Sequence, residues 1–400
     1  MKKLFFVFFA YCLLPTAYSF SQGTWTQKAD FGGIARYSAV GFSSGNKGYI
    51  GTGGDNTTSF KDFWEYNPSL NAWIQKADFG GTARRHAVGF SIGTKGYIGT
   101  GDDYTAIKRD FWEYDTTLNT WTQIADFGGS GRGNQGNAVS FVIGSYAYVG
   151  TGNDSTNYFT NDFWKYNPSL NTWSQVTSVP VSLCGSVSFI INGKGYVGTG
   201  ADTSSGSTSF WEFDPITNTW SQKSSWGGGQ RFLAAGFAIG NKGYIGTGSD
   251  GNIQKKDFWE YDPSLNTWTQ KANFSGASRY GAVGFSIGSK GYIGTGYDSA
   301  MIFLKDFWEY DPNGNGIVEN EFENSISVYP SPSVDGKFTV SSLQFAVKSI
   351  DIYNVSGKLV YHATVNSKHQ TVNLSEASGV YFIHIASENK TAVKKLVISN

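Results

Sequence analysis

From residue 24 to about residue 312 the chain writes one pattern of apolar and polar positions six times. In the second copy an apolar run over 87–92 leads into Gly96-Tyr97-Ile98-Gly99. Then comes Asp110-Phe111-Trp112-Glu113-Tyr114, and after it a piece beginning Thr120-Trp121. The pieces are short, rich in aromatic and β-branched residues, and separated by Gly, Asn, Asp and Pro. That pattern predicts four strands and tight turns in each copy. No stretch of the repeat carries the 3.6-residue apolar stripe of a helix.

The aromatic piece fixes the period. Its Trp falls at 64, 112, 164, 211, 259 and 308, so successive copies lie 47 to 52 residues apart. Four strands at that spacing predict the blades of a six-bladed β-propeller. The two ends add a second signal. Five copies continue into a strand carrying Trp73, Trp121, Trp173, Trp220 or Trp268, whereas the sixth has Ile317 at that place. An orphan strand of the same kind, Thr24-Trp25-Thr26-Gln27-Lys28, stands near the start of the chain. It is expected to complete the last blade, removing an exposed edge and closing the ring.

Strand order decides which loops share a face. Turns between the second and third strands emerge beside the connections from one blade to the next. On the other face the turns are monotonous, with Asn-Lys-Gly or Thr-Lys-Gly in one set and Asn-Pro-Ser-Leu-Asn in the other. The second-to-third loops vary in length and chemistry, as over 103–109, 154–161, 202–209 and 298–305. Variable loops on a rigid scaffold are where recognition concentrates. Arg36, Arg84, Arg132, Arg231 and Arg279 lie just before the innermost strands on that face, and Leu183 with Cys184 breaks the series in blade 4. Clustered guanidiniums at a channel mouth would suit an anionic ligand. The repeated Asp55, Asp103, Asp154, Asp202, Asp250 and Asp298 follow Gly-Thr-Gly and offer another reading: they pair with those arginines or cap loop amides. Repetition does not explain Arg85, His86, Asn134, Gln135, Tyr104, Tyr158, Phe232, Tyr280 and Tyr297, which are candidates for specific contact.

Composition narrows the function. Lys plus Arg and Asp plus Glu both number 31, so no net basic charge argues for nucleic acid. Lys2 and Lys3 precede a short apolar core over 4–14, with small residues at Ala17, Ser19 and Ser21, so residues 1–21 read as a secretory signal. No transmembrane segment is expected in the mature chain. Past the signal only Cys184 remains, so no internal disulfide can form. The segment Asp311-Pro312-Asn313-Gly314-Asn315-Gly316 begins like a calcium loop, but Phe322 stands where the twelfth-position Glu belongs. Residues 313–325 therefore read as a linker. Beyond them, strand signals over 336–340, 349–353, 358–363, 379–386 and 392–398 predict a small β-sandwich.

The repeats resemble the kelch family. Tyr66 and Trp73, Tyr114 and Trp121, Tyr166 and Trp173, and Tyr261 and Trp268 each enclose six residues, and glycines end the second strand as Gly-Thr-Gly. Arginines at the inner-strand position resemble the channel-mouth arginines of ligand-binding kelch propellers. The galactose-oxidase relatives imply copper held by two His and two Tyr. Here the propeller has only His86, while His362, His369 and His384 lie in the tail, so neither metal nor cofactor is expected. Residues 326–400 resemble the type A C-terminal sorting domain of bacterial type IX secretion. The match runs through Tyr329-Pro330-Ser331-Pro332, Gly336, Phe338, Ile352-Tyr353-Asn354, Gly357-Lys358, Gly379-Val380-Tyr381 and Lys394-Lys395-Leu396-Val397-Ile398.

The expected organisation is a signal over 1–21, an all-β kelch propeller over 22–312, a linker over 313–325 and a sorting β-sandwich over 326–400. The expected role is a secreted or surface-held recognition module for a glycan or protein, handed to type IX machinery through 326–400. No catalytic residue is assigned. The enzymatic alternative is a carbohydrate-active propeller resembling sialic-acid mutarotases. The candidate ligand residues are Arg36, Arg84, Arg85, His86, Arg132, Arg231, Arg279 and Tyr280.

Overall fold

The computed structural model describes residues 23–133, 137–156, 158–202, 206–314, 325–342, 346–387 and 391–399. The expected signal over 1–21, most of the expected linker, and Asn134 and Gln135 lie outside them. The chain divides into two compact units, 1–316 and 317–400. Every regular element among the described residues is a β-strand.

Six four-stranded antiparallel sheets make up the first unit. Blade 2 runs Val88–Ile92, Lys95–Gly99, Phe111–Asp115 and Thr120–Ile124 in sequence order. Blades 1, 3, 4 and 5 repeat that order. Blade 6 has only three strands of its own, Val283–Ile287, Lys290–Gly294 and Phe307–Asp311, and takes its outer strand from Thr24–Lys28. The register pairs Thr24 with Asp311 and Lys28 with Phe307. The chain thus closes its ring by hydrogen bonding its beginning to its last blade.

The third strand shows why this sequence makes blades. In Phe63-Trp64-Glu65-Tyr66 the side chains of Phe63 and Tyr66 are fully buried. Phe63 meets Trp121 of the next blade edge-on at 5.1 Å. The same contact recurs as Phe111–Trp173, Phe163–Trp220, Phe210–Trp268 and Phe307–Trp73. Blade 5 makes it from Phe258 to Trp25, at 4.9 Å, so the borrowed strand also supplies the sixth aromatic link. Aromatic pairs add about 0.5–1.5 kcal/mol each beyond simple burial. Each Trp also donates its indole N–H across the blade boundary, as Trp73 to the carbonyl of Ala29 and Trp25 to that of Ala272.

Gly-Thr-Gly makes a second ring. In all six blades its Thr has φ between 57° and 60°, and the glycine after it has φ between 81° and 105°. That left-handed pair turns the glycine N–H toward the next blade. Gly53 donates to the carbonyl of Arg84, Gly101 to Arg132, Gly152 to Leu183, Gly200 to Arg231, Gly248 to Arg279 and Gly296 to Arg36, over 2.6–2.8 Å. The circuit is closed. Left-handed Thr costs of order 1–3 kcal/mol per site, and the inter-blade bond together with the buried packing around it offsets that cost.

The second unit stands on its own core. One sheet joins Ile326–Tyr329, Lys337–Ser342 and His369–Asn373; the other orders Leu359–Ser367, Val347–Asn354, Gly379–Ala386 and Thr391–Ile398. Alternate residues such as Ile350, Ile352, Ile383 and Ile385 fill the space between the sheets and are fully buried. The strands at 326–329 and 369–373 were not among those expected. Both are short and half polar, and they form only by flanking the Lys337–Ser342 strand.

Candidate recognition face

The five repeated arginines are the starting point, because they are the largest fully buried side chains of the propeller. Arg84 shows the arrangement. Its Nη1 and Nη2 donate to the two carboxylate oxygens of Asp110 at 2.8 and 2.7 Å, and Nη1 also donates to the carbonyl of Thr100. Its Nε donates to the carbonyl of Thr82, and its guanidinium lies 4.8 Å from the centre of the Phe79 ring. Asp110 in turn accepts the indole N–H of Trp112. The set recurs as Arg36–Asp62, Arg132–Asp162, Arg231–Asp257 and Arg279–Asp306.

These ion pairs revise two expectations. The partners are the aspartates that open the Asp-Phe-Trp motif, not those after Gly-Thr-Gly. The latter cap their own loops: Asp55 accepts the amides of Thr57 and Thr58, Asp103 those of Thr105 and Ala106, Asp154 those of Thr156 and Tyr158, Asp250 those of Asn252 and Ile253, and Asp298 those of Ala300 and Ile302. Asp202 lies beside residues outside the described set. The guanidiniums of Arg36, Arg84, Arg132, Arg231 and Arg279 do not stand open at the mouth. They are at most 1% exposed and bonded within their own blades, which satisfies a charge that would otherwise be costly to bury.

Blade 4 confirms the unit by replacing all of it. Leu183 stands for the arginine, Ser209 for the aspartate and Val179 for the ring beneath. Leu183 and Val179 are fully buried. An apolar set of similar volume can take the place of a buried ion pair at little cost. Trp211, deprived of its acceptor, keeps a buried indole N–H without a partner.

One residue further along, repetition ends. The residue after each arginine pairs as a short extra bridge with the residue after Gly-Thr-Gly. The pairs are Tyr37 with Gly54, Arg85 with Asp102, Cys184 with Ala201, Phe232 with Ser249, and Tyr280 with Tyr297; in blade 3 the amide of Gly133 donates to the carbonyl of Asn153. Just inside, Ser38, His86, Gly185, Leu233 and Gly281 pass backbone hydrogen bonds from blade to blade around the mouth. His86 donates to Ser38, Ser38 to Gly281, Gly281 to Leu233, Leu233 to Gly185, and Gly185 to Asn137. A constant frame therefore carries a variable rim.

The rim is lopsided. Blades 6, 1 and 2 assemble Tyr280, Tyr297, Phe303, Tyr37, Arg85, His86, Asp102 and Tyr104. Tyr37 lies at the centre, its ring 5.7–6.3 Å from those of Phe303, His86, Tyr297 and Tyr280. Arg85 donates from Nη1 to the Tyr37 hydroxyl at 2.6 Å and from Nε to Asp102 at 3.1 Å. Its guanidinium stacks 3.7 Å from the centre of the Tyr104 ring, and the Tyr104 hydroxyl donates to the carbonyl of Asp55 in blade 1. Among the described residues, Arg85 Nη2 has no hydrogen bond, and the Tyr37 O–H proton is not engaged.

Electrostatics fix the protonation of the cluster. His86 is 1% exposed, and its Nδ1 lies 2.6 Å from the other oxygen of Asp102. Burial lowers its pKa, outweighing the bond and charge of Asp102. The ring is neutral near pH 7, so Nδ1–H is the donor. Burial also raises the Tyr37 pKa, against the opposing charge of Arg85. Across the rim Cys184 is 8% exposed, and burial pushes its thiol up to about 11 despite a bond from the amide of Ala201, so it is no thiolate nucleophile. Among the described residues no cluster of three metal-ligating side chains occurs.

A KLHDC2/KLHL20/DRC7 kelch-repeats domain matches residues 16–184, and a secretion-system C-terminal sorting domain matches 327–399. The chain is a kelch-repeat propeller with a type IX secretion sorting domain. The kelch assignment also accords with the structure titled "Structure of YjhT", which aligns at a TM-score of 0.61 and 14% identity over 70% of this chain and 95% of the other, a likeness of fold alone. The ulvan lyase NLR42 of Nonlabens ulvanivorans is 33% identical over 85 residues, which is 20% of this chain and 16% of that enzyme. The sorting domain marks the kelch propeller for export by type IX secretion to the cell surface or the extracellular space. No helix among the described residues is long and apolar enough to cross a membrane.

Of the candidate ligand residues, the structure places Arg85, His86 and Tyr280 at the rim. It joins to them Tyr37, Asp102 and Phe303, which sequence reasoning did not single out. Tyr37 could have been found: it occupies the place of Arg85 and Tyr280 in its own repeat, one residue after the arginine.

Proposed function

We propose that the exported kelch propeller is a glycan-recognition module that binds through the rim of blades 6, 1 and 2. The observation carrying this reading is the asymmetric cluster around Tyr37, set on a frame that is otherwise repeated. Tyr37, Tyr280, Tyr297 and Phe303 offer ring faces on which the apolar face of a sugar can stack, at little cost in side-chain entropy. Arg85 Nη2 and the Tyr37 O–H offer donors for sugar oxygens. The rest of the Arg85 fork is held by Asp102 and Tyr104, so it is already oriented before a ligand arrives. Small binding sites are commonly apolar surfaces with a few fixed polar groups of this kind. The ulvan lyase relative supports a carbohydrate setting, although it shares only a short stretch with this chain.

A glycan array probed with the mature propeller and with a Tyr37→Ala/Tyr280→Ala variant tests the reading. The wild type should mark a small set of related glycans, and the variant should lose them while keeping its melting temperature within a few degrees. Identical array profiles would remove the rim from the function.

A further inference from the structure

A second place on the same face is exceptional for its chemistry. Between blades 5 and 6 lies an open cleft of about 550 Å³, lined by Gly228, Arg231, Gln254, Lys255, Lys256, Asp257 and residues 276–278. Three cations and one carboxylate line it. Asp257 holds Arg231, and Asp250 holds Lys255 at 2.6 Å. Lys256 is exposed and its ammonium makes no ion pair among the described residues, so the cleft keeps an uncompensated positive charge.

The connector from blade 4 to blade 5 explains the opening. Elsewhere the third residue after the buried ring is Ile34, Thr82, Ser130 or Ala277. In blades 1, 2 and 6 the carbonyl of that residue accepts the arginine Nε–H. In blade 5 it is Gly229, with φ +77° and open space where a side chain would be. Arg231 instead donates from Nη2 to the carbonyl of Gly228, and its Nε–H is buried without a partner. A guanidinium 1% exposed thus carries an unpaired donor in the wall of a positively charged cleft.

The cleft adjoins the rim along the chain at both walls. Ser278 in its lining is two residues from Tyr280, and Arg231 immediately precedes Phe232. We infer that this cleft is a subsite for an anionic substituent, a sulfate ester or a uronate carboxylate, on a polysaccharide that leaves the rim across blade 6. The path from the rim rests on the function proposed above; the anion subsite rests on the cleft itself. Lys256 supplies the attraction, and the three-glycine connector 227–229 has the freedom to bring a ligand oxygen to the unpaired donor.

The internal control is built into the repeat. Lys61 holds in blade 1 the place of Lys256 in blade 5: the carbonyl of Lys61 accepts the amide of Phe79 as that of Lys256 accepts the amide of Phe274. Both lysines are exposed, so either substitution should leave the fold intact. Calorimetric titration with dextran sulfate, oligogalacturonate and neutral dextran, on wild type, Lys256→Glu and Lys61→Glu, tests the subsite. The wild type should bind at least one acidic polymer more tightly than dextran, with an affinity that falls as salt rises. Lys256→Glu should weaken that binding about tenfold, and Lys61→Glu should not. The acidic polymer that responds identifies sulfate or carboxylate as the group recognised. Equal effects of the two substitutions, or none from Lys256→Glu, would overturn the subsite. Rim and cleft separate through the Tyr37→Ala/Tyr280→Ala variant: if it binds the acidic polymer as wild type does while Lys256→Glu loses it, the path from the rim is refuted.

Discussion

Arg279 and Tyr280 are neighbours in sequence and opposites in role. Arg279 points into blade 6, where Asp306 takes both Nη groups at 2.7 and 2.6 Å and no solvent reaches it. Tyr280 is half-buried at the rim among Tyr37 and Tyr297. The same step, from buried layer to rim, is taken in every blade. Its inner side is nearly constant and its outer side varies, as Tyr37, Arg85, Gly133, Cys184, Phe232 and Tyr280. Repetition marks what the blades need from one another, and departure from repetition marks what the surface does.

Breaking the inner layer should have the largest effect. Asp110→Ala leaves Arg84 buried and unpaired, and should cost about 3–5 kcal/mol in urea unfolding. Blade 4 sharpens the point in reverse. Leu183→Arg alone buries a charge with no partner, and adding Ser209→Asp should recover at least about 1 kcal/mol of that loss, read as a coupling energy in a double-mutant cycle. Additive losses would mean that the arginine and aspartate are not one unit.

Acid should act first at His86 on the rim and reach the buried inner layer only at lower pH. For Asp110 and Asp306 burial opposes ionisation, but the bonds and charge of Arg84 and Arg279 outweigh it, and both pKa values are lowered. A carboxylate with a lowered folded pKa adds stability that is present above its unfolded value and lost as pH falls through the folded one. His86 is also lowered, so the unfolded state takes up its proton first and stability declines as pH drops below about 6.5. Replacing His86 with Asn should flatten the first part of that decline, between about pH 6.5 and 5, and leave the acid limb below it.

At the rim, substitution should hardly matter to folding. Tyr280→Ala removes a half-buried ring and should change unfolding free energy by about 1 kcal/mol or less, while abolishing the glycan signal. A large loss of stability would move Tyr280 into the structural layer.

The sequence made the fold plain because its period, its aromatic strands and the orphan Trp25 are local signals that agree with one another. The tail's main strands were legible for the same reason. The rim was half legible. Arg85, His86 and Tyr280 stood out by breaking the repeat, but the five arginines were left open between facing a ligand and structural pairing, because their spacing fixes the face and not the depth. Only the folded blade brings Asp62 and its counterparts, 26 to 30 residues along the chain, against those arginines and turns them inward. The joint replacement of arginine, aspartate and phenylalanine in blade 4 was the available sequence signal for that pairing. Tyr37 was missed although it holds the repeat position of Arg85 and Tyr280, because its contacts come from blades 2 and 6 and only an alignment of the repeats points to them.

The most direct measurement is equilibrium unfolding of Arg279→Gln and Tyr280→Ala, each with and without the glycan that binds best on the array. Ligand that binds only the folded state raises its stability in proportion to affinity. Arg279→Gln should be much less stable than wild type yet gain the wild-type increment from glycan, and Tyr280→Ala should be nearly as stable yet gain none. If Arg279→Gln loses the glycan increment and Tyr280→Ala keeps it, the division between buried layer and rim is wrong.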